Sequence, residues 1–143
     1  MRRLLDINVL ISLMDPDHTF HRRAHAWWAA QAQPWASCPL TENGLIRIMA
    51  SSAYSPLARF TVQDIAGRLT HLASHSDHVF WPDSVSLRDL RIFQPRHILS
   101  SRHLTDLYLL ALAVENRGRL VTFDQHIPVD AVPAATADHL EII

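Results

Sequence analysis

Four acidic residues of this 143-residue chain stand in apolar surroundings that do not ordinarily hold a carboxylate: Asp6 in LLDINVL, Glu42 in CPLTENGLIRIM, Asp106 in SRHLTDLYLLALA and Asp124 in GRLVTFD. An ionised carboxylate taken out of water needs hydrogen bonds, a basic partner or a metal. Taken singly, Asp106 and Glu42 could merely favour the early turns of helices through the helix dipole. Neither Asp6 nor Asp124 has an arginine within the three residues after it, and a helix dipole accounts for at most one of those two. Convergence on one divalent cation accounts for all four. Clustered carboxylate oxygens suit Mg²⁺ or Mn²⁺, hard ions that keep several waters and accept phosphate oxygens. A cation held in this way activates water and neutralises charge on a phosphodiester, and no covalent nucleophile is required of the protein.

Such convergence needs a fold that carries positions 6, 42, 106 and 124 to one place. Leu4 and Leu5 read as a short buried strand ending at Asp6, and 8–14 has helical spacing. The stretch 18–31 reads as a helix with Phe20, Ala24, Trp27 and Gln31 on one face. A strand over 35–38, helices over 41–50 and 61–73 and a strand over 79–81 follow. Ser101 is placed to cap a helix running through Leu107, Leu110 and Val114 to a left-handed C-cap at Gly118. A strand over 119–123 then ends at Asp124, and 140–143 is a last short strand. The eight prolines fall between these segments. Alternating strands and helices predict a three-layer α/β/α domain around a mostly parallel sheet, one domain over 1–143, with its site beyond the carboxyl ends of the strands.

Composition narrows the chemistry. The chain is 48% hydrophobic and 19% charged, which is ordinary for a folded domain, and its longest apolar run, 107–114, is far short of a membrane span. The N-terminal arginines lack a following signal-peptide pattern, and the single Cys38 cannot form an internal disulfide, so a cytoplasmic location is expected. All 13 basic residues are arginine. The absence of lysine excludes Schiff-base chemistry, Walker A loops and the lysine-dependent phosphoaspartate phosphatases, which also need a second acid where this chain has Asn8.

The segments LLDINVLISL, CPLTENGLIRIM and HLTDLYLLALAVENRGRLVTFD, in that order and spacing, resemble the successive signatures of the PIN-domain ribonucleases, and among them the VapC-type toxins of toxin–antitoxin pairs. The resemblance covers essentially the whole chain. It implies an endoribonuclease whose acidic quartet falls on Asp6, Glu42, Asp106 and Asp124, with Mg²⁺ or Mn²⁺ as cofactor and Asn8 and Thr122 as supporting polar residues. It further implies a homodimer held inactive by a VapB-like antitoxin. After the last acid, FDQHI departs from the family, with Gln125 and His126 where an arginine or second acid is frequent. The residues themselves leave open a metal-dependent DNA nuclease or phosphatase using the same acids, or a non-catalytic scaffold.

Secondary candidates surround this core. Arg47, Arg96, Arg102 and Arg119 lie near the acidic segments in sequence and are candidates for RNA phosphate contacts. Net charge is −1, but with the four candidate ligand carboxylates set aside the rest of the chain is net positive. Leu10, Leu13 and Met14 form an apolar stripe close to Asp6 that could be core or could line a groove for an antitoxin helix. Trp28 is expected at the surface and Trp27 and Trp81 in the core. Two histidine groups, His18, His21 and His25, and His71, His75 and His78, have spacings that suit zinc, but neither contains the accompanying acid or cysteine of a zinc motif.

Overall fold

The structure is a computed structural model and describes residues 1–30, 34–57 and 59–143. Five short strands, β1 (Arg3–Leu5), β2 (Pro34–Ser37), β3 (Asp77–Phe80), β4 (Arg119–Thr122) and β5 (Leu140–Ile142), form one sheet in the order β3-β2-β1-β4-β5. Every neighbouring pair is parallel. The helices are α1 (Ile7–Met14), α2 (His21–Ala30), α3 (Pro39–Met49), α4 (Val62–Ser74) and α5 (Leu104–Glu115).

Alternation along the strands divides the core into two layers. Leu5, Trp35 and Val121 face one side, where they meet Val9, Leu10, Ile11 and Met14 of α1, Leu45 and Met49 of α3, and Ile65 and Leu69 of α4. Leu4, Ala36 and Leu120 face the other, where α5 contributes the unbroken buried run from Leu109 to Ala113 beside Leu107. The α5 layer is completed by irregular chain carrying Trp81, Val85, Phe93, Ile127 and Val132. An all-round apolar helix such as α5 is stable only when covered on both sides, and the sheet and these loops supply the cover. The result is a three-layer α/β/α arrangement with an entirely parallel sheet.

Sheet order fixes where a site can form. From β1 the chain builds outward through β2 to β3, then returns to the other side of β1 with β4. The gap between the carboxyl ends of β1 and β4 is thus a topological switch point, the place where open parallel sheets bind ligands.

Several local expectations shift by a residue or two. The helix expected over 18–31 begins at His21 and runs to Ala30, and Gln31, assigned to its apolar face, lies outside the described residues. Ser101 does not cap α5: it opens a 3₁₀ turn, Ser101–His103, which Ser100 caps by accepting from the Arg102 amide. The left-handed residue after α5 is Arg117, with φ 53°, rather than Gly118. Gly118 is needed for a different reason, because a Cβ there would lie 2.6 Å from the Arg2 carbonyl oxygen and 2.6 Å from the Trp81 ring. Trp28 is half-buried, its ring set edge-on to Trp35 at 5.8 Å, and is not a free surface aromatic.

Candidate active site

Asp6 ends β1 and opens α1, and both roles follow from its backbone. Its N–H donates to Val121 O of β4 at 3.0 Å, and its carboxylate accepts from the Ile7 amide at 2.6 Å as the helix N-cap. The second carboxylate oxygen accepts from the Thr122 hydroxyl at 2.8 Å. Thr122 Oγ1 in turn accepts from the Asp124 amide at 3.1 Å, so one buried hydroxyl joins the two strand-end acids across the switch point. Asp124 Oδ1 accepts from the His126 amide at 2.7 Å, an Asx turn that fixes the loop after β4. Asp106 stands in the first turn of α5, half-buried above the same end of the sheet.

Three of the four predicted acids are therefore brought together, and their electrostatics report it. Burial raises the Asp6 carboxyl above its ordinary value, and Asp124 adds to the rise, against the hydrogen bonds from Thr122 and Ile7 that lower it. Asp106 is pushed up to about 6, first by burial and then by the negative charges of Asp6 and Asp124. Among the described residues no arginine lowers either value. Two raised carboxyls beside a third acid form a cluster whose ionised form a nearby positive charge would favour.

Glu42 is placed differently. It lies half-buried in the first turn of α3 and accepts from the Ser37 hydroxyl at 2.5 Å, while Ser37 Oγ meets His78 Nε2 at 2.7 Å. The single Ser37 proton goes to the carboxylate, so His78 must donate its Nε2–H to Ser37 Oγ. Burial holds the His78 imidazole below its ordinary pKa. Ser37 and His78 thereby orient Glu42 from β2 and β3, a pair of positioning groups that no sequence spacing announced.

One ligand-bearing side chain was missed. His103, Asp106 and Asp124 each offer an atom, all within 4.8 Å of one another, a grouping that could hold a metal ion. His103 precedes Asp106 by three residues, and helical i, i+3 spacing was the signal that could have found it. Carboxylates and one imidazole at this separation fit a divalent cation. Around them Arg102, His103, Asp124 and His126 line a cleft of about 300 Å³.

Of the other candidates, Arg102 alone reaches this cleft. Arg119 starts β4, at the opposite end of the strand from Asp124, and its guanidinium is bound to Glu141 at 3.5 Å. Arg47 is exposed in the last turn of α3, roughly 7 Å farther along the helix than Glu42. Arg96 is exposed in the 3₁₀ turn Pro95–His97 between β3 and α5. Asn8 is exposed on the first turn of α1, whereas Thr122 is wholly buried against Asp6. Leu10 and Met14 belong to the core, 0% and 7% exposed, and Leu13 packs partly buried against it, so this stripe is not an open groove. Among the described residues neither histidine group forms a metal cluster: His21 and His25 bond Ser12 O and Leu13 O, and His71 and His75 stack at 4.1 Å.

An acidic, metal-ready site at the switch point of a five-stranded parallel sheet defines a class of metal-dependent hydrolases, and comparison with known proteins narrows it. The PIN domain family matches residues 3–132. Ribonuclease VapC44 of Mycobacterium tuberculosis (strain ATCC 25618 / H37Rv) is 45% identical over 142 residues, 98% of each chain. Ribonuclease VapC39 of the same strain is 38% identical over 125 residues, covering 87% of this chain and 89% of its own, and Ribonuclease VapC29 is 34% identical over 124 residues, covering 87% and 86%. The chain belongs to the PIN-domain family, in its VapC ribonuclease branch.

Proposed function

We propose that the protein is a metal-dependent endoribonuclease, the toxin of a toxin–antitoxin pair, that hydrolyses RNA phosphodiester bonds at the acidic site. The observation that carries the reading is the meeting of Asp6, Asp106 and Asp124 at the switch point with Asp106 pushed up to about 6. Asp6, Asp106 and Asp124 are the proposed cation ligands, with Glu42 as the fourth acid and His103 as an added donor. Mg²⁺ or Mn²⁺ is the proposed cofactor, and the imidazole nitrogen favours Mn²⁺. When bound, the cation supplies charge neutralisation and water activation at the scissile phosphate.

The chain's own groups do the positioning. Thr122 donates to the Asp6 carboxylate and accepts from the Asp124 amide, so one hydroxyl ties the two strand-end acids together. Arg102, exposed at the rim, supplies positive charge to a phosphate entering the cleft. With the Asp106 carboxyl raised to about 6, protons compete with the cation for this group below that pH, so cation affinity falls toward acid pH.

A VapB-like antitoxin, RNA as substrate, a homodimer and a cytoplasmic setting complete the proposal. Support for them is the kinship to the VapC ribonucleases, and no helix among the described residues is long and apolar enough to cross a membrane. The test is cleavage of structured RNA by protein freed of any partner. Cleavage is expected with Mg²⁺ or Mn²⁺, and silence in EDTA and in Asp106→Asn. Cleavage undiminished by excess chelator, with contaminating nuclease excluded by the same variant, overturns it.

A further inference from the structure

A second cleft, of about 340 Å³, lies on the other flank of the α5 N-terminus and is lined by Leu40, Asp83, Leu87, Leu104, Thr105 and Tyr108. Its volume falls within the range of small-ligand pockets, roughly 300–1,000 Å³. Consecutive residues line the two clefts, Arg102 and His103 the acidic one and Leu104 and Thr105 this one. Leu40 stands two residues before Glu42 on the first turn of α3, and Leu104 and Thr105 fill the space between His103 and Asp106 on α5. Leu104, Thr105 and Tyr108 share one face of α5 by i, i+3 and i, i+4 spacing, and Asp106 is turned about 100° from Thr105. A polymer whose phosphate reaches the acids has this cleft beside it at the α5 N-terminus.

The lining decides what part of the polymer it takes. Apolar side chains and one phenol ring make the walls, and no arginine or histidine is among them, so a phosphate finds no partner there. The charged group present is the Asp83 carboxylate, which lies beside the Tyr108 hydroxyl and the Cys38 thiol. The thiol is raised by burial first and by Asp83 in addition, and a phenol is neutral near pH 7, so neither adds negative charge. A flat apolar ligand that brings its own N–H donors satisfies every wall. Single-stranded RNA offers such groups as splayed bases, stacked on aromatic rings and bonded along their Watson–Crick edges. A carboxylate accepts two parallel N–H bonds. Guanine alone presents two adjacent donors, N1–H and the 2-amino group, on that edge. Adenine and cytosine present one amino group next to an acceptor that a carboxylate repels, and uracil presents one N–H between two carbonyls.

We infer that the cleft beside the acidic site is a nucleobase subsite that selects guanine next to the scissile phosphate, with Asp83 reading its Watson–Crick edge and Tyr108, Leu40 and Leu87 holding its face. This inference rests on the ribonuclease reading above, and two readouts keep the failures of the two apart. In the first, metal-free protein is titrated with guanosine, inosine and adenosine while the amide resonances of Thr105 and Tyr108 are followed. Guanosine is expected to move them. Inosine, which lacks the 2-amino donor, should bind about tenfold more weakly, because a hydrogen bond to a charged acceptor is lost. Asp83→Asn should abolish the preference. In the second, kcat/KM is compared for short single-stranded RNAs differing at one position beside the cleaved bond. Wild type should favour guanine by about tenfold or more, and Asp83→Asn, with an unaltered unfolding midpoint, should flatten that preference to within about threefold.

Guanosine binding of equal strength to wild type and Asp83→Asn, or an unchanged base preference in the variant, overturns the subsite. Loss of dimer in Leu87→Asp with base preference intact would assign the cleft to a second copy of the chain and overturn it as well. Guanosine binding at this cleft in a protein that cleaves no RNA with Mg²⁺ or Mn²⁺ would support the subsite and sink the ribonuclease reading alone.

Discussion

Replacing Asp106 by Asn should destroy cleavage and yet make the metal-free protein more stable. The Asp106 carboxyl is raised from 3.8 to about 6, by burial and by Asp6 and Asp124. Two units at 1.36 kcal/mol each set a ceiling of about 3 kcal/mol on the cost of its charge at pH 7. Solvent reaches the half-buried carboxylate and screens that cost to about 1–2 kcal/mol. The direction follows from proton linkage. Near pH 5 the folded state binds this proton and the unfolded state does not, so stability rises as pH falls from about 7 toward 4 and levels off once both states are protonated. Asn has no charge to lose. At pH 7 in EDTA the variant should therefore melt roughly 2–8 °C higher than wild type, at about 2–4 °C per kcal/mol, and the gap should close by pH 4.5. Added Mn²⁺ should reverse the order, since only wild type gains binding energy from it. Thermal unfolding from pH 4.5 to 8, with and without the ion, measures all of this. A variant that melts several degrees lower at pH 7, or a gap independent of pH, would refute the repulsion argument and make Asp106 a structural residue.

Ser37→Ala removes the hydroxyl that joins His78 to Glu42 and should weaken Mn²⁺ binding about tenfold while leaving the circular dichroism unchanged; isothermal titration reads it, and equal affinity would mean Glu42 needs no orienting. Tyr54→Phe deletes the 2.5 Å hydrogen bond to the buried Asp15 carboxylate and should cost about 2 kcal/mol, or roughly 4–8 °C in melting temperature, at neutral pH. Asp15 is held below its ordinary value by Tyr54, Asp17 and Arg59 against the opposing effect of burial, so its contribution is present above pH 3.8 and is lost as pH falls through the folded value. The Tyr54→Phe deficit should shrink in that acid range, and a deficit constant with pH would place the bond's energy elsewhere.

The positions of Asp6 and Asp124 were legible because a strand-end carboxylate in an apolar sequence has few explanations, and parallel strands bring their carboxyl ends to one edge. Asp106 was legible by its place in the first turn of a wholly apolar helix. What was not legible depends on rotation about single turns. Starting α5 at Ser101 obscured the 3₁₀ turn that aims His103 beside Asp106. Glu42 has the expected place in α3, but its carboxylate is claimed by Ser37 and His78 from strands 5 and 36 residues away in sequence, which no local pattern encodes. Charge near an acid in sequence also misled: Arg119 and Arg47 are at the far ends of the elements that carry their acids, because a strand or helix moves a side chain several ångströms per turn. Leu10 and Met14, which the sequence left open between core and groove, belong to the core.

The hydrogen bond from Thr122 to Asp6 links groups 116 residues apart. During translation at about 5–20 residues per second, on the order of ten seconds separate the synthesis of the two. Until β4 emerges and inserts beside β1, Asp6 has neither Thr122 nor Asp124 for company, and no chain that stops short of residue 124 carries an assembled site. Pairing of β1 with β4 thus delays assembly of the site until residue 124 has been made. On the function proposed above, a nascent chain surrounded by RNA carries no working site before that point, and a silencing partner would have no assembled site to meet until then.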